Sequence, residues 1–440
     1  MNNVRDFGAV GDGRTLDTAA IQRAIDAGGM VDFPPGTYLA GTLYLKSRGG
    51  LHLEPGAVLL ASPDRKDYNA DDFCPQNAVF SKENVSGAHF IVAVEQEDIT
   101  ICGGGRIDGN RQAFYGTGPK PPLEPRGCFS LGAPESGFWR PGQMIFICEC
   151  ARVRIEGVQL FHAPYWTCFL HGCEDVTVRG LRIWNDPRTP NGDGVDIDCC
   201  CRVTVSDCII DSGDDCITLR GSSRRLKNKR PCEYITISNC VLSTPCNAFR
   251  IGVGDGLIRH AAIANIVIHD TRTAICMVPQ YSTNSPGVEI SDVTVANVEL
   301  DCTIAFNVAT TPRGVRPEAG KALKNIHFRH IYGQARSASI VQGSRPEYVD
   351  KVFFSDIRLA MVPGGEARVR PWPHDLPVGE FESKSTQSAF FVQNVKRVAF
   401  DQVFVEWRTD DPVWEYGMIV EHAPELTVTG SDFGKPGFSR

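Results

Sequence analysis

Short segments in which apolar and polar residues alternate recur along most of the chain. These segments start 23, 27 and 32 residues apart in the stretch between residues 153 and 242, and further copies follow up to residue 433. Segments of this length and period are typical of β-strands. Strands repeated at this interval indicate a solenoid, because each coil can bury its apolar face only against the coils above and below it. The first four copies are VRIEGVQL (153–160), VTVRGLRI (176–183), VTVSDCII (203–210) and ITISNCVL (235–242).

Two other all-β architectures fit this pattern less well. A β-sandwich needs hairpins, and few two-residue hairpin signals separate the repeated segments. A propeller needs four strands in each, longer, repeat. We therefore predict an all-β protein that folds as a right-handed parallel β-helix.

The first residues of the chain follow a different pattern. Residues 16–29, LDTAAIQRAIDAGG, have apolar residues at helical spacing, a start signal at Asp17 and Thr18, and a glycine stop. A helix at the open end of a β-helix would cover a sheet edge, so we predict an N-terminal capping helix. The stretch 361–386, rich in proline and glycine, is predicted to be a long loop. Both features are expected to belong to one domain that spans residues 1–440.

Composition and charge argue against several classes of protein. Of the 440 residues, 42% are hydrophobic and 22% are charged, as in ordinary soluble domains. The net charge of −7 gives no reason to expect a nucleic-acid partner. No apolar run approaches the ~20 residues that span a bilayer, so no membrane partner is expected either. The oligomeric state leaves no trace in the sequence.

The 17 cysteines of the chain show no paired metal-ligand spacing. They recur inside apolar strands, as at Cys208 and Cys216, so we interpret them as small buried hydrophobic residues and predict no metal and no cofactor. The N-terminus shows no signal-peptide pattern. A thiol-rich chain without such a signal favours a reducing compartment, which predicts a cytoplasmic protein. A chain trimmed of its signal would look the same and would be secreted or periplasmic.

Two glycine-rich corners hold the residues on which the functional interpretation depends. NGDG (191–194) contains Asp193, and SGDDC (212–216) contains Asp214 and Asp215. Carboxylates crowded together repel, and at least one of them is then expected to hold its proton near neutral pH. That is costly for a scaffold and useful for acid–base chemistry. The alternative is that both motifs are ordinary turns, where Asp and Gly are favoured.

Strand register predicts that the two corners meet. A shift of 22 residues sets Val195 over Ile217, so that inward apolar residues stack on one another, and Asp193 then falls over Asp215. Adjacent parallel strands lie ~4.8 Å apart. An inverting glycosidase needs an acid and a base ~6.5–9.5 Å apart, a gap that two neighbouring corners supply once side-chain reach is added.

The same register predicts the residues that flank the acidic corners. One coil later Asn247 falls over Asp215 and Arg250 points outward, and one coil earlier His171 lies against Asp198. Each flanking residue alone is also typical of a solvated outer face. Two outward rows would form the floor of a cleft, namely His171, Asp198 and Arg220 in one row and Phe169, Asp196, Thr218 and Arg250 in the other.

With the acidic motifs in view, the chain resembles the polygalacturonase family, glycoside hydrolase family 28. The likeness begins with DFGAVGDGRTLDTAAIQRAID (6–26) and continues through GTYLAGTLYLKS (36–47), LHLEPGAVLLAS (51–62) and the two acidic motifs to about residue 300. The resemblance implies a pectin-lyase-like right-handed β-helix and hydrolysis with inversion. It also implies that Asp214 is the general acid, that Asp193 and Asp215 activate water, and that Asn191 matches the family's motif asparagine.

The chain departs from this family at two motifs. Members typically carry Gly-His-Gly where this chain has residues 246–248, Cys-Asn-Ala, and Arg-Ile-Lys where it has residues 276–278, Cys-Met-Val. In the family the histidine assists the acid, and the arginine and lysine grip a uronate carboxylate. The sequence therefore favours hydrolysis more than it favours a galacturonan substrate. The basic loop 220–231 and Arg250 are the candidates to replace the missing pair.

Three functions follow from these features. The leading one is an inverting glycosidase that cleaves a pectin-like or other uronate-containing polysaccharide or oligosaccharide. A polysaccharide lyase on the same fold would instead depend on calcium and release an unsaturated product. A non-catalytic carbohydrate-binding β-helix would bind glycans without turnover. For the glycosidase, the predicted substrate-binding residues are Asn191, Asp196, Asn247, Arg250, Arg220 and His171, beside the catalytic Asp193, Asp214 and Asp215.

Overall fold

The computed structural model of the protein describes residues 1–78, 83, 85–115, 139–280, 286–310, 321–364 and 387–439. The chain forms two compact units. The first consists of Met1–Pro125, Phe129–Ile217 and Ser223–Arg230, and the second of Arg126–Cys128, Thr218–Ser222 and Pro231–Arg440. The single domain expected over residues 1–440 stays a prediction.

Within the first unit each strand pairs in parallel with strands of the preceding and following coils. In one sheet, for example, Val153 pairs with Ile99 on one side and with Val176 on the other, and Val176 pairs with Val203. Three such ladders run along the coils, so that each full coil contributes three short strands. The strands are β1 (Asn2–Asn3), β2 (Asp12–Leu16), β3 (Met30–Phe33), β4 (Gly36–Ala40), β5 (Leu43–Tyr44), β6 (Gly49–Leu53), β7 (Ala57–Ala61), β8 (Ile91–Val94), β9 (Glu97–Gly103), β10 (Arg106–Asp108), β11 (Ile145–Cys148), β12 (Ala151–Glu156), β13 (Gln159–Phe161), β14 (Cys168–His171), β15 (Glu174–Arg179), β16 (Arg182–Trp184), β17 (Val195–Asp198), β18 (Cys201–Ser206) and β19 (Ile209–Asp211), with β20 (Ile217–Gly221) beginning at the last residue of Phe129–Ile217.

The second unit continues the pattern with longer strands that run through the corners. Its core holds a stack of phenylalanine rings, among which Phe354 packs against Phe400 with centroids 5.0 Å apart. These rings are fully buried or nearly so. The strands are β21 (Cys232–Ser243), β22 (Asn247–Gly254), β23 (Leu257–Val278), β24 (Glu289–Ala309), β25 (Leu323–Ala335), β26 (Ser339–Gln342), β27 (Val349–Met361), β28 (Ser388–Gln393), β29 (Arg397–Trp407), β30 (Tyr416–Glu421), β31 (Glu425–Thr429) and β32 (Gly437–Ser439).

The N-terminal helix lies where the sequence predicts it. Helix α1 spans Thr18–Asp26 and buries Ala20, Ile21, Ala24 and Ile25. The carboxylate of the preceding Asp17 accepts hydrogen bonds from the backbone N–H groups of Val10 and Gly11, at 2.7 and 3.0 Å. A second, short helix, α2, spans Arg111–Tyr115. Within the described residues, neither α-helix is long or apolar enough to cross a bilayer. The loop predicted at 361–386 lies, apart from residues 361–364, outside the described residues.

Alternation along the strands decides which side chains form the core. Val153 and Ile155 of β12 are fully buried, whereas Arg154 between them faces outward. Burying one such aliphatic side chain contributes about 1.5–3 kcal/mol, and each coil repeats the gain. The predicted right-handed parallel β-helix is confirmed.

The 16 cysteines that the structure describes are all free thiols, and 13 of them are buried. Cys168 and Cys216 are typical, since both are fully buried. Burial raises the pKa of each of these two thiols well above its usual range. The interpretation of the cysteines as small buried hydrophobic residues is therefore confirmed for most of them.

Candidate active site

Backbone hydrogen bonds align the two acidic corners of the first unit. The Gly194 N–H donates to the Asp215 carbonyl and the Val195 N–H to the Cys216 carbonyl, both at 2.9 Å. The ladder between β14 and β17 shows the same arrangement, in which the donor pairs with the residue after its acceptor. Val195 therefore aligns with Ile217, and Asp193 aligns with Asp215 on the next coil. The 22-residue register predicted from the sequence is confirmed.

Glycines allow the two corners to approach this closely. A Cβ atom on Gly194 would lie 2.4 Å from the Cys216 carbonyl oxygen, and one on Gly213 would lie 2.7 Å from the Thr189 carbonyl oxygen. Further backbone contacts join the corners directly, because the Gly213 N–H donates to the Gly192 carbonyl at 2.9 Å. The name "acidic corner" is used below for residues 191–194 together with residues 212–216.

The three aspartates of the acidic corner differ in their access to solvent. Asp193 is 3% exposed and Asp215 is 9% exposed. Asp214 is half-buried, and the Ser212 hydroxyl donates to its backbone carbonyl at 2.6 Å. Of the three aspartates, Asp214 is thus the one most open to an incoming molecule, while Asp193 and Asp215 are buried.

Asn191 begins the acidic corner in a left-handed backbone conformation, with φ 55°. Its side-chain oxygen accepts a hydrogen bond from Arg140 at 3.1 Å. Arg140 was not among the predicted residues, because FWRPG (138–142) has no pattern that marks a functional arginine. Its guanidinium is 1% exposed and lies over the ring of Tyr165, 4.8 Å from the centroid.

Tyr165 adds a protonated phenol beside the acidic corner. Burial raises its pKa well above the usual range, and the negative charges of Glu83 and Asp193 add to the effect. The phenol therefore stays a hydrogen-bond donor, and it donates to the Glu83 carboxylate.

The outward rows of the first unit are not the open cleft floor that the sequence suggests. His171 aligns with Asp198 and Phe169 with Asp196, as predicted, but all four side chains are at most 5% exposed. His171 stacks on Phe169 with ring centroids 5.2 Å apart. The cause is an apolar cluster that covers this face, made of Val85, Val92, Phe146, Cys148, Tyr165, Trp166, Phe169, Cys199 and Leu226.

The basic loop contributes Leu226 to the apolar cluster, and ion pairs fix the loop to the rest of the protein. Lys227 pairs with Glu95, and Arg230 pairs with Glu174 at 3.1 Å. Arg225 donates to the Asn77 carbonyl. At least three of the six basic side chains of this loop are therefore already engaged with the protein.

The remaining predicted residues lie in the second unit. Asn247 is 3% exposed and Arg250 is 6% exposed, while Arg220 is half-buried. The Arg250 guanidinium donates to the Val278 carbonyl at 3.2 Å. Asn247 accepts a hydrogen bond at 3.1 Å from Arg272. Arg272 was missed because it lies outside the motif positions compared with the family. The register predicted for Asn247 and Arg250 relative to the acidic corner stays a prediction.

The fold defines a parallel β-helix protein, and its acidic corner gathers three aspartates. The model of glycosyl hydrolases family 28 matches residues 72–342, and the model of the rhamnogalacturonase A/epimerase, pectate lyase-like family matches residues 1–48. The first of these matches covers more than half of the chain. The chain belongs to glycosyl hydrolases family 28, which confirms the resemblance found in the sequence.

Individual relatives agree with this assignment. The chain is 30% identical over 230 residues to a probable polygalacturonase of Vitis vinifera, a match that covers 49% of this chain and 43% of the relative. It is 40% identical over 119 residues to an exo-poly-alpha-D-galacturonosidase of Dickeya chrysanthemi, covering 24% of this chain and 19% of that protein. The matches thus span less than half the length of these two curated relatives.

A solved structure shows the same fold. The family 28 exopolygalacturonase of Yersinia enterocolitica superposes with a TM-score of 0.67 at 20% identity, covering 99% of this chain and 79% of that chain. At this level of identity the likeness concerns the fold alone.

The prediction of a cytoplasmic protein is wrong. The homologues are secreted or extracellular enzymes that degrade cell-wall pectin. The error came from the cysteines. Since 13 of the 16 described cysteines are buried, their thiols are protected by packing, and their number carries no information about the redox compartment.

Proposed function

We propose that this protein is an inverting glycosidase that hydrolyses galacturonate-containing pectic chains. Asp214 acts as the general acid, and Asp193 and Asp215 act as the bases that activate water. The observation that carries the proposal is the alignment of Asp193 with Asp215 across two coils, with Asp214 beside them, in a chain of family 28.

The exposures of the three carboxylates fit this division of work. A general acid must reach the glycosidic oxygen and hold a proton until it is needed, and Asp214 is the most accessible of the three. It would protonate the leaving oxygen while Asp193 and Asp215 remove a proton from a water molecule on the opposite face of the sugar. Attack of that water at the anomeric carbon inverts its configuration.

The substrate follows from the relatives and from the charged groups of the second unit. Relatives of the chain are named polygalacturonases or exo-poly-alpha-D-galacturonosidase. The uronate carboxylate would meet guanidinium groups, for which Arg250, Arg220 and Arg272 are the candidates. Asn247 takes the place of the family's histidine. Asn191, Asp196 and His171 shape the site from beneath rather than contacting sugar through open surface, since the last two are buried.

The test is hydrolysis of polygalacturonate and defined oligogalacturonates, followed by reducing-end release and by NMR of the first anomer formed. We expect an inverted product and, for Asp214→Asn, a loss of kcat of about 10²–10⁴-fold. Asp207→Asn is the matched control, because Asp207 is an exposed aspartate at a strand corner that pairs with Arg179. Its kcat should stay within about two-fold of the parent.

Three results would contradict the proposal. An Asp214→Asn variant as active as its parent would remove the assigned acid. A product that absorbs in the ultraviolet and depends on calcium would identify a lyase. Tight binding of oligogalacturonates with no turnover by the parent protein would identify a carbohydrate-binding protein.

A further inference from the structure

Arg140 is the most completely enclosed basic side chain that the structure describes near the acidic corner. Its guanidinium is 1% exposed, and it donates hydrogen bonds to the carbonyl oxygens of Pro164, Pro190 and Glu83 at 3.0, 2.7 and 2.8 Å. It also donates to the Asn191 side-chain oxygen and to the Tyr115 hydroxyl. These acceptors come from four separate segments, so one side chain ties together parts of the chain that share no strand.

The chemistry of this contact set is selective for arginine. A buried cation is costly unless its donors find partners, and five neutral oxygens are arranged here around a planar fork. The ring of Tyr165 covers one face of the guanidinium, 4.8 Å from its centroid. A lysine ammonium is a compact point charge with three donors, so it cannot reproduce the five contacts.

Two of the five acceptors belong to the residues that lead directly into the acidic corner. Pro190 and Asn191 precede Asp193, and Asn191 holds a left-handed φ of 55° that most residues avoid. The Gly192 N–H donates back to the Thr189 carbonyl at 3.2 Å, which closes the turn. The orientation of Asp193 therefore depends on the backbone of this turn, to which Arg140 is hydrogen-bonded.

We propose that Arg140 is a positioning residue, which fixes the 190–191 turn and thereby holds the Asp193 carboxylate where it activates water. The inference rests on the proposed function for the reaction itself, but the placement of Asp193 can be measured without it. Arg140 touches no substrate in this scheme and acts only through the turn.

The kinetic test uses Arg140→Lys and Asn191→Gly on oligogalacturonates. Glycine adopts a left-handed φ without cost, so Asn191→Gly removes the side-chain hydrogen bond to Arg140 without adding backbone strain. Displacement of a reacting group by ~1 Å costs about 10²-fold in rate. We expect kcat to fall by about 10- to 100-fold in each variant while KM changes by less than about two-fold. In the double variant the loss of kcat should be much smaller than the product of the two single losses, because both changes break the same set of contacts.

A matched control separates positioning from general stability. Arg336 of the second unit is also buried, at 8% exposure, and bonds to Asp301 and to the Cys302 carbonyl at 2.8 Å. Arg336→Lys should lower the melting temperature and leave kcat unchanged below that temperature. A KM increase without loss of kcat in Asn191→Gly would show instead that Asn191 contacts substrate, and would overturn the inference.

Crystal structures of Arg140→Lys and Asn191→Gly decide the matter independently of activity. We expect the Asp193 carboxylate to shift relative to Asp215 by on the order of 1 Å in Arg140→Lys. An unshifted carboxylate in both variants would overturn the inference even if the parent proved inactive on every pectic substrate, which would be a failure of the proposed function alone. If Arg140→Lys does not fold, Asn191→Gly carries the same test.

Discussion

At position 194 the absence of a side chain sets how closely the two strands of the acidic corner approach. An alanine Cβ there would lie 2.4 Å from the Cys216 carbonyl oxygen and 2.8 Å from the Ile210 Cγ2. Gly194→Ala must therefore push one coil away from the other. We expect a loss of about 1–3 kcal/mol in the free energy of unfolding, and a kcat at least about ten-fold lower because Asp193 and Asp215 separate. Urea denaturation and oligogalacturonate hydrolysis measure the two effects.

Gly437→Ala provides the control for that substitution. Gly437 lies in β32, and a Cβ added there meets its nearest atom, the Met418 carbonyl oxygen, at 3.8 Å. Its stability and activity should match those of the parent. If Gly194→Ala behaved like Gly437→Ala, the close approach at the acidic corner would have no energetic consequence.

Val253 has a backbone conformation that is unfavourable for its β-branched side chain. It has φ 72°, in the left-handed region that a β-branched residue rarely enters. The conformation costs roughly 1–2 kcal/mol, and glycine would adopt it freely. We expect Val253→Gly to raise the melting temperature by a few degrees, whereas Val267→Gly should lower it, because Val267 is an exposed valine in regular strand. Calorimetry on the two variants checks both directions, and a Val253→Gly variant that melts earlier than the parent would show that the strain is absent.

The residue scale also shows what the sequence could and could not predict about the site. Asp193, Asp214 and Asp215 could be found because each lies in a local motif whose glycines report the turn. Arg140 could not, since its partners Glu83 and Asn191 are 57 and 51 residues away. A contact of this kind depends on several loops packing together, and loops have no periodic sequence pattern from which it could be predicted.

At the scale of single elements, the strands could be predicted from the sequence. The burial of their outward side chains by other segments could not. Alternation identifies which side chains of β14 and β17 point outward, and the paired residues His171 and Asp198 agree with it. Whether an outward residue meets solvent is decided by side chains of other segments, here by Phe73, Val85 and Leu226 among others. Loops have no periodic pattern that says where they will lie, so the open cleft floor was the wrong expectation.

The cysteine-bearing strands lead to a prediction about thiol chemistry. In the native protein a thiol reagent at neutral pH should rapidly label at most the three half-buried cysteines, Cys74, Cys102 and Cys201, together with Cys128, which lies outside the described residues. Burial raises the pKa of Cys74 and Cys102 as well, which slows even these. In denaturant all 17 should react. Rapid native labelling of most thiols, counted by mass spectrometry, would contradict the packing described for these strands.

At the scale of the whole molecule, the fold could be predicted because a solenoid repeats its information. Each coil repeats the same pattern of inward apolar residues, so the fold can be predicted even where one coil departs from the pattern. The register followed from stacking Val195 on Ile217. The second unit illustrates the limit. Its strands β23 and β24 run unbroken for 22 and 21 residues, although the sequence suggested short segments. The reason is that the pairing between them skips only single corner residues, such as His260 and Asn265, before it resumes.

The stability of the molecule should depend on pH through one buried histidine. His89 is fully buried, stacks on Phe146 with centroids 4.4 Å apart, and contacts the Asn77 side-chain oxygen at 2.9 Å and the Gln143 carbonyl oxygen at 3.1 Å. Burial lowers its pKa to about 3, against the opposing effect of the Gln143 carbonyl. The histidine pKa in the unfolded chain is ~6.5. At pH values between the folded-state and unfolded-state pKa, the unfolded chain therefore binds a proton at His89 that the folded chain does not bind.

The sign of the effect follows directly, because stability rises with pH wherever the unfolded state binds more protons. Acidification therefore destabilises the folded protein. Between pH 7 and pH 5 the loss from His89 should be about 2 kcal/mol. Paired carboxylates such as Glu174, whose pKa is lowered by Arg202, contribute only at lower pH. In urea denaturation His89→Gln should be less stable than the parent at pH 7 yet lose about 2 kcal/mol less on acidification. His269→Gln, which changes a histidine whose side chain is 46% exposed, should follow the parent. Equal losses in all three proteins would mean that His89 takes up its proton while the protein remains folded.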